Sequence, residues 1–492
     1  MKNTNVNNGN MSNEVPEDLS ESYYHLLLTE IDNMREKMQF DILNNLEKQK
    51  NNQLVRYNQS LFSFVPKHVL IKKSYKANNF STNVHSGSKY QVNDLKKGGK
   101  FTYTTQSDVV LTSLEVTKLE SNADDLLVYL TSKKGVKIEN AIFDLWINPE
   151  IWDKFTYNLL FFKKLLLDES KFKAIVKFID GSIDYCDVKL TDTCSELAVN
   201  DDIKLRLFSP QFYLGMSFSI ANYSFYNKPE VKNIILSIPE KLLYKSGMKD
   251  IKLHENKLFT TNIVPLFNLF DDYCVSQKVD EKYDGIPLIH PRNTSAFPLS
   301  VSQVWKNKHL YEAYSDHTVS EFYFHKLEGK LFYHPDDIVD DLVKNNSVFA
   351  KVSWTEHEEH GDFIDIKPNN FVSSRGSFKL ISAKKSLNII QTPILEHVIQ
   401  VLKSFSNLDI RNKESIFIVL QFLCEGLDSG EDIYIRFKKA IESVDFCSFN
   451  NTLNFILNNR NDLHFIEYVA NIISEFFYVN SPQMIKVNCL VK

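Results

Sequence analysis

The stretch Thr261-Asn262-Ile263-Val264-Pro265-Leu266-Phe267-Asn268-Leu269-Phe270-Asp271 places two amides, Asn262 and Asn268, inside an otherwise apolar run. A buried amide must find hydrogen-bond partners or cost about 1–3 kcal/mol, so such a run has to be tightly specified. Pro265 has no N–H to give to a ladder, which predicts a turn or crossover inside a core and not an ordinary central strand. A generic core segment is the plainer alternative.

Outward from this run, the hydrophobic period is short on both sides. Leu61 to Val65, Val69 to Ile71 and Phe101 to Thr105 read as strands, with turns at Ser86-Gly87-Ser88 and Lys96 to Gly99. Val109 to Leu119, Leu126 to Leu130, Ile142 to Ile147 and Ile234 to Ile238 continue the β pattern, as do Glu321 to His325, Phe349 to Trp354 and Phe363 to Ile366. Helical spacing appears at Trp152, Phe155, Leu159, Phe162 and Leu166, predicting a helix from about Pro149 to Leu167. It returns behind Pro393 at Val398, Ile399, Leu402 and Phe405, and again at Phe465, Tyr468, Val469, Ile472, Ile473, Phe476 and Phe477. Beyond Pro482, the alternation of Ile485, Val487, Cys489 and Val491 predicts a final strand.

At the other end, Pro16 with Glu17 and Asp18 opens a run of apolar residues at steps of three and four, from Leu19 to Leu46. It predicts one long amphipathic helix whose heptad-like positions Tyr24, Leu27, Ile31, Met34 and Met38 could pair with a partner helix. Packing on its own domain fits the same pattern. The expected class is α+β and multi-domain. Residues 1–16 are a disordered tail, 17–55 the long helix, 56–120 a β-rich domain and 121–260 an α/β domain. A second β-rich domain, 261–385, opens with the quoted run, and 386–492 is mainly helical with the final strand.

Composition narrows the function. Lys and Arg number 57 against 62 Asp and Glu, a net charge of −5, so no basic footprint for nucleic acid is indicated. With 14 Gly and 14 Pro, the chain is poor in linkers and in Gly-rich phosphate loops. Its 36 Phe and 22 Tyr supply a sizeable core with apolar surface left for partners. Six cysteines without a CxxC pair read as buried, reduced thiols. The polar start predicts no secretory signal, and apolar runs fall well short of the ~20 residues that span a bilayer, so a soluble intracellular protein is expected.

Chemistry is harder to find. Glu356-His357-Glu358-Glu359-His360 suggests a metal site, but its histidines stand at i and i+3, whereas a metallopeptidase helix needs i and i+4. With Gly361 following, a solvated acidic loop is the better reading; a metal-dependent enzyme or toxin using His357 and His360 is the lesser one. Asp336, Asp337, Asp340 and Asp341 fit the wet face of a helix. There is no GxSxG elbow, Walker loop or dinucleotide fingerprint, so neither a catalytic site nor a cofactor is expected.

The quoted run resembles the motif of the TssF family (also called VasA or ImpG), baseplate subunits of the type VI secretion system. Asn262, Pro265, Asn268, Leu269, Phe270 and Asp271 fill its Asn, Pro and Asn-Leu-Phe-acid positions. His290-Pro291-Arg292 and Ser300-Val301-Ser302-Gln303-Val304 are similar to the family's Arg-Pro loop and Ser-Val-x-x-Val strand. Ser86-Gly87-Ser88, Phe101 to Thr105, Val109 to Leu111, Tyr23-Tyr24 and Phe465 to Gln483 follow in the family's order. Lysine and asparagine stand in for many of its arginines, and 310–380 does not align. The resemblance implies a divergent, non-enzymatic subunit. Two copies would embrace one TssG in a wedge with TssK and TssE, and wedges would surround the spike hub (VgrG) beneath the sheath and tube. The baseplate lies in the cytoplasm and docks on the inner-membrane complex. A wedge protein of a contractile phage tail-like particle is the neighbouring alternative.

Overall fold

The computed structural model describes residues 29–43, 61, 65–74, 81–94, 99–122, 124–138, 142–148, 152–169, 172–193, 199–220, 228–248, 258–278, 285–306, 309–312, 322–326, 328–333, 347–356, 364–368, 377–383, 398–402, 413–425, 430–480 and 485–491. The chain divides into two compact units, Met1–Asn58 and Gln59–Lys492. In the first, residues 29–43 are helical. The remainder of the expected 17–55 helix, with Tyr24 and Leu27, lies outside the described residues, as does the 1–16 tail, so a helix of the full length is not supported.

The quoted run lies in a six-stranded sheet ordered Ile364–Pro368, Lys89–Asp94, Lys100–Thr104, Ile263–Phe267, His68–Ser74, Ser377–Ala383. The motif strand is therefore interior, contrary to the expectation from Pro265. Register explains how proline is tolerated. Leu70 stands opposite Pro265, while the Lys73 N–H donates to the Asn262 carbonyl (2.9 Å) and the Asn268 N–H to the Lys67 carbonyl (2.7 Å). Bonded positions alternate in an antiparallel pair, so the even-numbered residues face His68–Ser74 and Pro265 turns its nitrogen away. On that other side the pairing with Lys100–Thr104 is the single match of Phe267 with Thr104, so no ladder donor is missed.

An eight-stranded antiparallel sheet runs Phe259–Thr260, Ile142–Ile147, Gly215–Ile220, Ile183–Asp192, Phe172–Phe178, Val231–Pro239, Asp125–Val136, Glu115–Asn122. Gly215 is required there by close approach: a Cβ on it would sit 2.7 Å from the Trp146 ring. The helix Trp152–Asp168 buries Leu159, Phe162 and Leu166, three of the residues that set its spacing. A third, five-stranded sheet joins Phe270–Tyr273, Ser347–Glu356, Ala296–Lys306 and His309–Glu312, with Gln277–Lys278 also paired to Ser347–Glu356, and shares a core with the small sheet of Ile286–Pro287, Lys330–Tyr333 and Phe322–His325.

In the last part, Lys413–Cys424 and Gly430–Ala440 are helices, and Leu463–Asn480 buries Phe465, Val469, Ile472, Ile473, Phe476 and Phe477 from the expected stripe. The final strand Lys486–Val491 lies parallel to Thr452–Leu457, with that helix as the crossover. The antiparallel partner Ile441–Cys447 completes a small sheet that helical patterning did not suggest. Two further local expectations are corrected. The first strand starts at His68, since Leu61 and 65–67 take no strand conformation, and Val109 to Leu119 breaks into Val109–Leu111 and Glu115–Asn122. The stretches around Asp336 to Asp341 and from Pro393 to 397 lie outside the described residues.

Candidate functional site

The motif is a change of sheet. Ile263–Phe267 belongs to the six-stranded sheet, and three residues later Phe270 pairs with Trp354 in the five-stranded one. Asn262 sets the entry: its φ of +63° is left-handed, a conformation Asn tolerates better than most side chains, and its Oδ1 accepts from the Thr112 N–H (2.8 Å). Asn268 sets the exit. It is fully buried, and its amide is saturated. Oδ1 accepts from the Glu356 N–H (2.6 Å) and the Thr355 hydroxyl (3.0 Å), while Nδ2 donates to the Thr102 carbonyl (3.0 Å) and to Glu356 Oε2 (2.7 Å). Just beyond Asn268, the Leu269 carbonyl takes the Thr104 hydroxyl (2.5 Å), and Asp271 accepts from Ser353 on the exposed side (2.5 Å).

Glu356 is the surprise of the site. The sequence places it at the head of a solvated acidic loop, but it is buried as the last residue of Ser347–Glu356. Its carboxylate collects the Thr102 N–H (3.2 Å), Asn268 Nδ2 and Asn293 Nδ2 (2.8 Å). Burial pushes its pKa up, opposed by these donors and by the charge of Lys67. A period-two signal was available: Val348, Ala350, Val352 and Trp354 are buried in alternation, and one more step reaches Glu356. His357 to His360 lie outside the described residues, and among the described residues no group of three or more His, Cys, Asp or Glu could hold a metal.

Asn293 links this node to the loop that begins His290-Pro291-Arg292. The buried His290 ring packs edge-on against Trp354 (5.1 Å) and Phe270 (5.7 Å). Its Nδ1 accepts the backbone N–H groups of Arg292 (3.2 Å) and Asn293 (3.0 Å), so the proton of the neutral ring sits on Nε2. Nε2 lies 3.3 Å from Asp272 Oδ2. Burial lowers the His290 pKa, with Asp272 working against it. Above node and loop opens a polar cleft of about 540 Å³, with Lys89, Lys100 and Arg292 among its lining residues. Glu356 and His290 Nδ1 are occupied by structural donors, so the arrangement braces two sheets.

Two other constellations could be mistaken for chemistry. Ser209 Oγ donates to His68 Nε2 (2.6 Å) while Nδ1 donates to the Pro66 carbonyl (2.9 Å), a nucleophile–base geometry. Ser209 is fully buried, however, and Phe208, Phe212 and Phe267 pack around the imidazole. Arg206 makes a bidentate pair with Glu475 (2.7 and 2.8 Å), and its carbonyl takes the Tyr468 hydroxyl (3.0 Å). Burial disfavours the Arg206 charge, but Glu475 and Asp202 outweigh it and the pKa rises. That pair ties the helix Val199–Phe208 to the C-terminal helix. The positions expected to meet a partner, Ile31, Met34 and Met38, are 54%, 62% and 68% exposed.

No helix among the described residues is long and apolar enough to cross a membrane. No family model and no curated protein matches the chain. Solved structures do. A chain in the cryo-electron microscopy structure of the type VI secretion system TssK-TssF-TssG baseplate subcomplex superposes with a TM-score of 0.60 at 10% identity, over 96% of each chain. A chain of the baseplate complex from the type VI secretion system gives 0.52 at 13% identity, covering 85% of this chain and 79% of its own. The protein therefore has, nearly end to end, the fold of a chain found in type VI secretion baseplates.

Proposed function

We propose that this chain is a structural, non-enzymatic subunit of a type VI secretion baseplate, a divergent TssF-like protein. The observation that carries the reading is the shared 96% coverage with a chain of the TssK-TssF-TssG subcomplex, because a common domain would match only part of each chain. The ordered motif from Asn262 to Asp271 supports it, since those residues form the braced crossover between two sheets. In this reading the protein pairs with a second copy and with TssG through the apolar face of the N-terminal helix, using Tyr24, Leu27, Ile31, Met34 and Met38. TssK, TssE, the VgrG spike hub and the base of sheath and tube complete its surroundings, on the cytoplasmic side of an inner-membrane-docked apparatus. The test is co-expression with the TssG- and TssK-like products of neighbouring genes, followed by native mass measurement. A stable complex containing this chain is the expected result. A lone monomer in the presence of both partners refutes the proposal.

A further inference from the structure

Three cations surround the polar cleft, and none has an ion pair or side-chain hydrogen bond among the described residues. Lys89 opens the strand Lys89–Asp94, Lys100 opens Lys100–Thr104, and Arg292 follows the buried His290. They stand out in a chain whose net charge is −5. Two carboxylates line the same cleft, but neither pairs with these cations: Glu356 accepts from Thr102, Asn268 and Asn293, and Asp272 lies 3.3 Å from His290, which leaves three cations against two acids. Arg292 is also held in place, because its backbone N–H is bound by His290 Nδ1 (3.2 Å).

The spacing states what kind of anion fits. In the hairpin register Lys89 stands opposite Thr104 and Asn93 opposite Lys100. Paired residues share a face and strand side chains alternate, so Lys89 and Lys100 project from the same face. They are four residues apart along the ladder, about 14 Å at 3.4 Å per residue. That separation suits an extended ligand with several charges better than one small ion. The backbone N–H groups of Thr102, Arg292 and Asn293 are already engaged, which leaves no amide nest of the kind that cradles phosphate.

We infer that this cleft docks an extended acidic segment of a neighbouring protein, with carboxylates on alternate residues meeting Lys89, Lys100 and Arg292. The inference rests on the subunit reading above for the source of that segment.

The test uses the full chain and a fluorescein-labelled peptide with glutamates at alternating positions, followed by fluorescence anisotropy. Binding that weakens with salt is expected, and Lys100→Glu with Arg292→Glu should lower the affinity at least about tenfold. Lys133→Glu with Lys241→Glu makes the same change in net charge on exposed residues elsewhere and should leave binding intact. An unaltered melting temperature in both double variants confirms that folding is not the cause. No peptide binding, binding indifferent to the cleft variants, or equal competition by inorganic phosphate or a single-stranded oligonucleotide would each overturn the inference. Peptide capture by a chain that never joins TssG- or TssK-like partners removes the subunit reading and the proposed source, leaving an acid-binding cleft. Partner assembly without peptide binding removes the cleft alone.

Discussion

Two helices of this protein carry the same kind of apolar stripe and meet opposite fates. In Leu463–Asn480 the stripe is sealed, with Phe465, Val469, Ile472, Phe476 and Phe477 all buried. In the helix at 29–43 the corresponding positions Ile31, Met34 and Met38 are exposed, together with Ile42 and Leu43. Periodicity reports that a face is apolar; it does not report what covers it. The sealed stripe is a core component, whereas contiguous exposed apolar surface is the mark of an interaction site.

The sharpest way to break this contrast is to cut into the sealed face. Phe476→Ala should cost about 3–5 kcal/mol in denaturant unfolding, as expected for a large buried aromatic. A loss under about 1 kcal/mol would mean that the C-terminal stripe is no better covered than the N-terminal one.

The next effect probes burial through pH. Asp144 is buried beneath Val110 and Ser217, accepting from the Val110 N–H (2.6 Å) and the Ser217 hydroxyl (2.5 Å), and burial pushes its pKa up to about 6. A carboxyl whose folded pKa is raised holds its proton more tightly when folded. Its contribution is therefore full below the unfolded value near 4 and is lost as pH rises through about 6. Stability should fall by roughly 3 kcal/mol across that window, and Asp144→Asn should flatten the slope. An identical pH profile in the variant would show that other groups set it.

A smaller loss is expected at the motif. Asn268→Ala leaves the Glu356 carboxylate and the Thr102 carbonyl without one donor each, and should cost about 1–3 kcal/mol. A melting temperature equal to the parent's would mean that the two sheets do not depend on this brace. The smallest stability change belongs to the exposed stripe. Ile31→Asp with Met34→Asp should alter unfolding by no more than about 0.5 kcal/mol, yet abolish co-purification with a TssG-like partner. Retained complex formation would deny the N-terminal face its proposed role.

Much of the secondary structure was legible because it rests on local patterns. Ile142–Ile147 appears with the expected bounds, and Val231–Pro239 and Trp152–Asp168 contain most of the residues that announced them. Reading Pro265 as incompatible with an interior strand failed for a non-local reason: whether a proline is tolerated depends on which neighbour its nitrogen faces, and that is fixed by register with His68–Ser74. Glu356 was misplaced because its sequence neighbours are acidic, while its partners Thr102 and Asn268 lie 254 and 88 residues away. The cleft was not legible for the same reason: the run Lys96 to Lys100 reads as a hairpin turn, and only the fold brings Lys100 into one cleft with Lys89 and Arg292.

The sequence by itself determined where strands and helices form, which faces are apolar and that Asn262 and Asn268 needed partners, because side-chain period and hydrogen-bond demand are properties of short segments. Only the tertiary structure decided which strand receives Pro265, which carboxylate answers Asn268 and which of two greasy stripes is covered. Those outcomes depend on contacts between residues far apart in the chain, whose pairing is set when the sheets assemble and not by any local preference.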